Sequence, residues 1–181
     1  MMGIIIIGLI EFVHKKKGRE AVSKVLGNTG LTPSLIQEQL IYPEEAFQEL
    51  LKNAVEITGM DENEFETEWA KFMVNLVHNK FTGFFESSGN ARELLTKVPD
   101  IHFKVFPTIL GHQIQKINIK ESDDDHIVYS YTSPNRMCIF LKTLAIEVLN
   151  AYDQKGTVEE LQCQKNGASS CDVKVTFHRS A

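Results

Sequence analysis

The chain has 181 residues, 43% hydrophobic and 24% charged, with a net charge of −5. That length suffices for one domain with a real core, and the balance is that of an ordinary soluble globular protein. The acidic balance excludes the basic footprint of a nucleic-acid binder, and no linker composition or internal repeat divides the chain.

The apolar run IIIIGLIEFV, 4–13, carries Glu11 and is about half the roughly 20 residues that a membrane span needs. Its lysines, 15–17, follow the run rather than precede it, which is the wrong order for a signal peptide. It reads as a buried helix over 4–16, and the chain as cytoplasmic with no membrane span. A second helix is expected over 19–26, closed by Gly27. A third starts near Pro43 and runs to 57. Asp61 can cap a fourth over 62–79, where Phe65, Trp69, Phe72, Met73, Leu76 and Val77 recur at helical spacing. GNAREL opens another helix after the SSG turn at 87–89, and Pro99 is expected to start the next.

Beyond residue 113 the period changes. IQKINI (114–119) and IVYSYT (127–132) alternate apolar and polar residues around a DDD turn. A helix over 136–152 follows, then two strands near 157–164 and 171–177 joined by KNGASS. The expected class is therefore α+β: a helical N-terminal lobe, about 1–80, and a C-terminal lobe, about 81–181, with a small antiparallel sheet and inserted helices.

The stretch VPDIHFKVFP (98–107) holds one imidazole among apolar residues. At 100° per residue Val98, Val105 and Ile109 share one face, Ile101 and Phe106 flank it, and position 102 falls inside that sector. A neutral histidine there is either a core residue bonded to a carbonyl or an axial ligand to haem iron. A haem also needs partners for its two propionates. YTSPNRMC (131–138) offers Tyr131 and Ser133 on one side of a strand, with Arg136 just beyond its end. Taken in isolation, the same stretch is an ordinary strand-to-helix turn.

Taken together, MMGIIIIGLIEFV, the helix carrying His102, YTSPNRMC and the cysteine-bearing tail resemble the haem nitric oxide/oxygen-binding (H-NOX) family over nearly the whole chain, 1–181. The resemblance implies haem b between a distal N-terminal and a proximal C-terminal lobe, with His102 as the proximal ligand. The family's Tyr-x-Ser-x-Arg propionate motif falls on Tyr131, Ser133 and, in place of its arginine, Asn135, with Arg136 one residue on. The family's porphyrin-pressing proline is absent near Ile114 and Gln115, which implies a flatter haem. Ala70 stands where the family often has a glycine, and alanine in a helix is about 1 kcal/mol better than glycine, so this helix should be stiffer.

The resemblance also places Ile5, Leu9, Met73, Val74, Phe140 and Leu144 near the distal face. Phe140 occupies the position of the tyrosine that oxygen-binding members use as a donor. An all-apolar distal side favours nitric oxide or carbon monoxide over stable oxygen binding. The implied role is a sensor rather than an enzyme. Loosening of the iron–His102 bond by nitric oxide would release the surrounding helix, with output in trans to a sensor histidine kinase or a diguanylate cyclase. Read without the resemblance, the same apolar residues are core packing.

Three cysteines, Cys138, Cys163 and Cys171, argue against a disulfide framework by their odd count in a cytosolic chain. Three thiolates and Glu160 could hold zinc, though Glu160 and Cys163 on a regular strand face opposite ways. They could equally be buried free cysteines, or Cys163 and Cys171 could form a reversible disulfide. The alternative to a haem sensor is therefore a haem-free module for a small ligand, zinc or thiol redox state.

Overall fold

The computed structural model describes residues 1–105 and 116–178, with side chains for all of these except 102–105. The described chain divides into two compact units, 1–72 and 73–178, within one long helix.

The first unit is helical. Helices α1 (Gly3–Lys17), α2 (Arg19–Leu26) and α3 (Glu44–Thr58) pack on one another and on the first half of α4 (Glu62–Lys80). Its centre is aromatic: Phe12 meets Phe65 edge-on at 5.4 Å between ring centroids, and Trp69 lies 6.0 Å from Phe65 and 6.3 Å from Phe47. All four rings are buried. Burial of such rings, and their tilted pairing, contributes to ordering this unit alongside buried aliphatic residues such as Ile6, Leu9 and Leu50. Two helix ends follow from local chemistry. Asp61 accepts the amide N–H of Asn63 and of Glu64 at 2.9 Å, the expected N-cap of α4. Gly59 closes α3 in the left-handed region, φ 72°, donating to the Val55 and Glu56 carbonyls. Pro43 sits just before α3 rather than within it.

The second unit holds α5 (Thr82–Glu86), α6 (Ala91–Val105), α7 (Cys138–Ala151) and a four-stranded antiparallel sheet. Its strands are β1 (Lys116–Ser122), β2 (His126–Thr132), β3 (Gly156–Gln162) and β4 (Cys171–Phe177), in spatial order β1-β2-β4-β3. Asp123 makes the β1–β2 turn by accepting the amides of Asp125 and His126. The sheet's inner residues, among them Ile127, Tyr129, Tyr131 and Val175, pack with Leu94 and Leu95 of α6 and with Leu149 of α7. The architecture is α+β, as expected. Among the described residues no helix is long and apolar enough to cross a membrane.

One expectation is corrected. Pro99 does not start a helix; it lies inside α6, which runs unbroken from Ala91 to Val105. Proline has no N–H to give the carbonyl four residues back, and here the Tyr129 hydroxyl donates to that carbonyl, Leu95 O, at 2.5 Å. A tertiary hydrogen bond replaces the helical one, so the proline is tolerated where sequence alone predicts a boundary.

Candidate functional site

Position 102 lies in the last turn of α6, seven residues after Leu95. The His102 side chain is outside the described residues, as are Ile114 and Gln115. Of the apolar face, Val98 and Ile101 are half-buried and pack against the core of the second unit.

Tyr131 lies at the end of β2 and Ser133 just beyond it, and both are buried, Ser133 to 1% exposure. Tyr131 is held on both sides, opposite Ile117 of β1 and Cys171 of β4. The chain then turns: Arg136 donates its amide to Ser133 O at 3.2 Å and adopts φ 50°. Asn135 donates its amide to Ser133 Oγ at 3.2 Å. That bond fills one lone pair of the hydroxyl and leaves its proton to be donated. Asn135 is half-buried, whereas the Arg136 side chain is exposed. Ser133 and Asn135 are thus hydrogen-bonded just past the strand that carries Tyr131, and Arg136 is exposed.

Of the residues assigned to a gas site, Leu9 is buried in the first unit, and Met73, Val74 and Phe140 are buried in the second. Ile5 and Leu144 are half-buried.

The three sulfurs do come together. Cys138, at the start of α7, and Cys171, at the start of β4, are joined in a disulfide with their Cα atoms 6.1 Å apart. Cys163 is free and buried, its sulfur 3.9 Å from that of Cys171. This corrects the expectation that the cysteines are unpaired, and it pairs Cys171 with Cys138 rather than with Cys163. The reason is tertiary: Cys171 stands opposite Tyr131 in the sheet, and the turn after Ser133 carries Cys138 back to it. All three sulfurs lie within 4.8 Å of one another. Glu160 does not join them; it is exposed, although the bulge between Glu160 and Gln162 is present.

Gln164 was not singled out by sequence. Its side-chain carbonyl accepts the Ser133 amide at 3.1 Å, and its own amide donates to the Cys171 sulfur at 3.3 Å. It ties the thiol cluster to the strand end across 31 residues of sequence, a separation no local pattern reveals.

Asp172, beside Cys171, accepts from Ser170 Oγ at 2.8 Å and pairs with Lys120 Nζ at 2.5 Å. Burial pushes its carboxyl up, but the bonds from Lys120, Ser170 and Ser130 outweigh this and hold it below the ordinary aspartate range. A depressed folded-state value stabilises the fold above the unfolded value of about 3.9, and the gain is lost as pH falls through the folded value. Asp172→Asn should therefore lower the melting temperature at pH 7. The gap to the parent protein should close as the pH falls below about 4. A gap that persists at pH 2 contradicts the ionic role.

The family model described as Haem-NO-binding matches residues 2–160. The chain belongs to the haem-NO-binding family. This H-NOX domain is thus one of a family of haem-based sensor domains, not of enzymes.

Solved structures agree on the fold. An H-NOX protein from S. oneidensis in the Fe(II)NO state is 19% identical, with 99% of this chain and 100% of that one covered and a TM-score of 0.83. An oxygen-binding H-NOX domain related to soluble guanylate cyclases, in its oxygen complex, is 20% identical over 99% and 96%, with a TM-score of 0.84. The SO2144 H-NOX domain from Shewanella oneidensis in the Fe(II)CO state is 19% identical over 99% and 100%, with a TM-score of 0.81. No curated protein matches the chain significantly.

Proposed function

We propose that the chain, acting as one domain over 1–181, is a nitric oxide sensor that holds haem b through His102. The observation that carries this reading is the buried end of β2. The Ser133 hydroxyl, its acceptor side taken by Asn135, keeps a proton to donate beside Tyr131. Two hydroxyls and an amide there suit a group bearing carboxylates, and Arg136 adds charge from the solvent edge. Ferrous haem, when bound, supplies the iron that takes the gas. The chain supplies the rest. His102 on α6 gives a neutral nitrogen and tethers the group to that helix. Tyr131, Ser133, Asn135 and Arg136 orient the carboxylates.

Ile5, Leu9, Met73, Val74, Phe140 and Leu144 offer a bound gas no hydrogen-bond donor. That favours nitric oxide and carbon monoxide, because bound oxygen carries partial negative charge and needs a donor. The signal passes in trans, as movement of α6, to a sensor histidine kinase or a diguanylate cyclase in the cytoplasm.

The test is spectroscopic. The purified protein should take up haemin with a Soret band. The reduced form should bind nitric oxide and carbon monoxide and form no stable oxygen complex in air. A protein that stays colourless with haemin contradicts the haem reading, and a stable oxygen complex contradicts the apolar gas site.

A second reading rests on the sulfur cluster. Reduction of the Cys138–Cys171 disulfide by a dithiol, with two electrons and two protons, gives two thiols beside Cys163. The three thiolates then suit zinc. Metal analysis of the reduced protein, with and without Cys163→Ser, decides it: about one zinc per chain, lost in the variant, supports the site.

A further inference from the structure

The Tyr129–Leu95 hydrogen bond does more than excuse a proline. In α6 the carbonyl of Leu95 has lost its helical donor because Pro99 has no N–H. An unpaired buried carbonyl is costly, and Leu95 is 4% exposed. The Tyr129 hydroxyl donates to it at 2.5 Å from a strand 34 residues away. Tyr129 itself is 2% exposed, and burial pushes its hydroxyl well above the ordinary tyrosine range, so it remains a donor at any working pH.

The strand carrying Tyr129 is a firm base. β2 is interior to the sheet, and Tyr129 is paired with Ile119 of β1 and Val173 of β4. Two residues on is Tyr131, and Ser133 follows directly after the strand. Pro99, whose missing N–H the bond makes up for, lies between Leu95 and position 102, which follows Leu95 by seven residues, about two turns. The Leu95 turn of α6 is therefore tied to the strand that carries Tyr131, and the helix continues from it to position 102.

The geometry points to Tyr129 as a positioning residue: its hydroxyl fixes α6 at the Leu95 carbonyl that Pro99 leaves without a helical donor, and so sets the placement of the turn that carries His102. The proposal rests on the haem reading only for its last step, from turn to ligand. Neither end of the bond is visible in the sequence, where Tyr129 reads as one more alternating strand residue.

The experiment is a double-mutant cycle between Tyr129→Phe and Pro99→Ala, because alanine returns an N–H to the Leu95 carbonyl. Two readouts are followed: hydrogen exchange of the amides of 100–105 without haem, and the iron–histidine stretching band of the ferrous haem-loaded protein. Tyr152→Phe is the control, since it removes a similar hydroxyl-to-carbonyl bond whose acceptor, Phe85 O, belongs to α5 and not to α6.

Tyr129→Phe should speed exchange of those amides by about tenfold, the effect of one lost buried hydrogen bond. It should also shift or broaden the iron–histidine band. P99A/Y129F should behave as Pro99→Ala alone, and Tyr152→Phe should move neither readout. Unchanged exchange in Tyr129→Phe, additive effects in the double variant, or an equal band shift in Tyr152→Phe overturns the proposal. If Tyr129→Phe does not fold, folding of the double variant supports the anchor and its failure to fold overturns it. A protein that takes up no haem contradicts the haem reading alone, and the exchange readout still decides the role of Tyr129.

Discussion

His102→Ala should abolish the Soret band of the haemin-loaded protein, and added imidazole should restore it. His102 is the one imidazole that the VPDIHFKVFP stretch offers, and a neutral imidazole is the proximal ligand that haem iron commonly takes. Groups that merely orient a metal ligand cost about 10- to 100-fold in metal affinity when removed, so loss of the ligand itself should cost at least about a hundredfold. Gel filtration should then strip the variant of haem that the parent retains. Rescue by imidazole separates lost ligation from lost folding, because a misfolded protein has no place to seat the free base. An unaltered band in His102→Ala assigns the ligand to another residue. The histidine then reverts to a core residue satisfied by a carbonyl.

Gly3→Ala should destabilise the fold by about 3 kcal/mol, against the usual gain of about 1 kcal/mol for alanine over glycine in a helix. Helix α1 starts at Gly3 without a side-chain cap. Its first amides are instead satisfied by a loop: Gly3 donates to Leu40 O at 2.8 Å and Ile4 to Glu38 O at 3.0 Å. The Tyr42 hydroxyl staples that loop, accepting from the Gln37 amide at 2.8 Å and donating to Leu35 O at 2.9 Å. A Cβ on residue 3 would stand 1.9 Å from the Gln37 carbonyl oxygen and 2.8 Å from its carbon. Both are backbone atoms, so the loop must move and the capping bonds go with it. Urea unfolding measures the change, and a midpoint equal to or above that of the parent protein contradicts this account of the helix start.

Legibility in the sequence followed the range of the force. The Asp61 cap and the Gly27 stop are local, and the structure has them where spacing placed them. The alternating stretches became strands in an antiparallel sheet because period two buries one face, whatever the partner. Pro99 was misread because its penalty is local but its remedy is not. The short α5 carried too few residues to show a period. The thiols were misread for the same reason as Pro99. Their number argued against pairing, while strand register and one turn placed Cys138 on Cys171.

By itself, then, the chain determined its α+β class, most helix boundaries and where along it the strands lie, because these rest on periodicity and capping within a few residues. It also marked His102, Tyr131 and Ser133 by residue type and spacing. Tertiary structure alone decided which carbonyl Tyr129 would satisfy, which cysteines would meet, that Gln164 would brace Ser133, and that Glu160 would stay outside the sulfur cluster. Each of the first three joins residues about 30 or more apart in sequence, and such contacts form only once burial of the sheet's inner face has set the register of the strands.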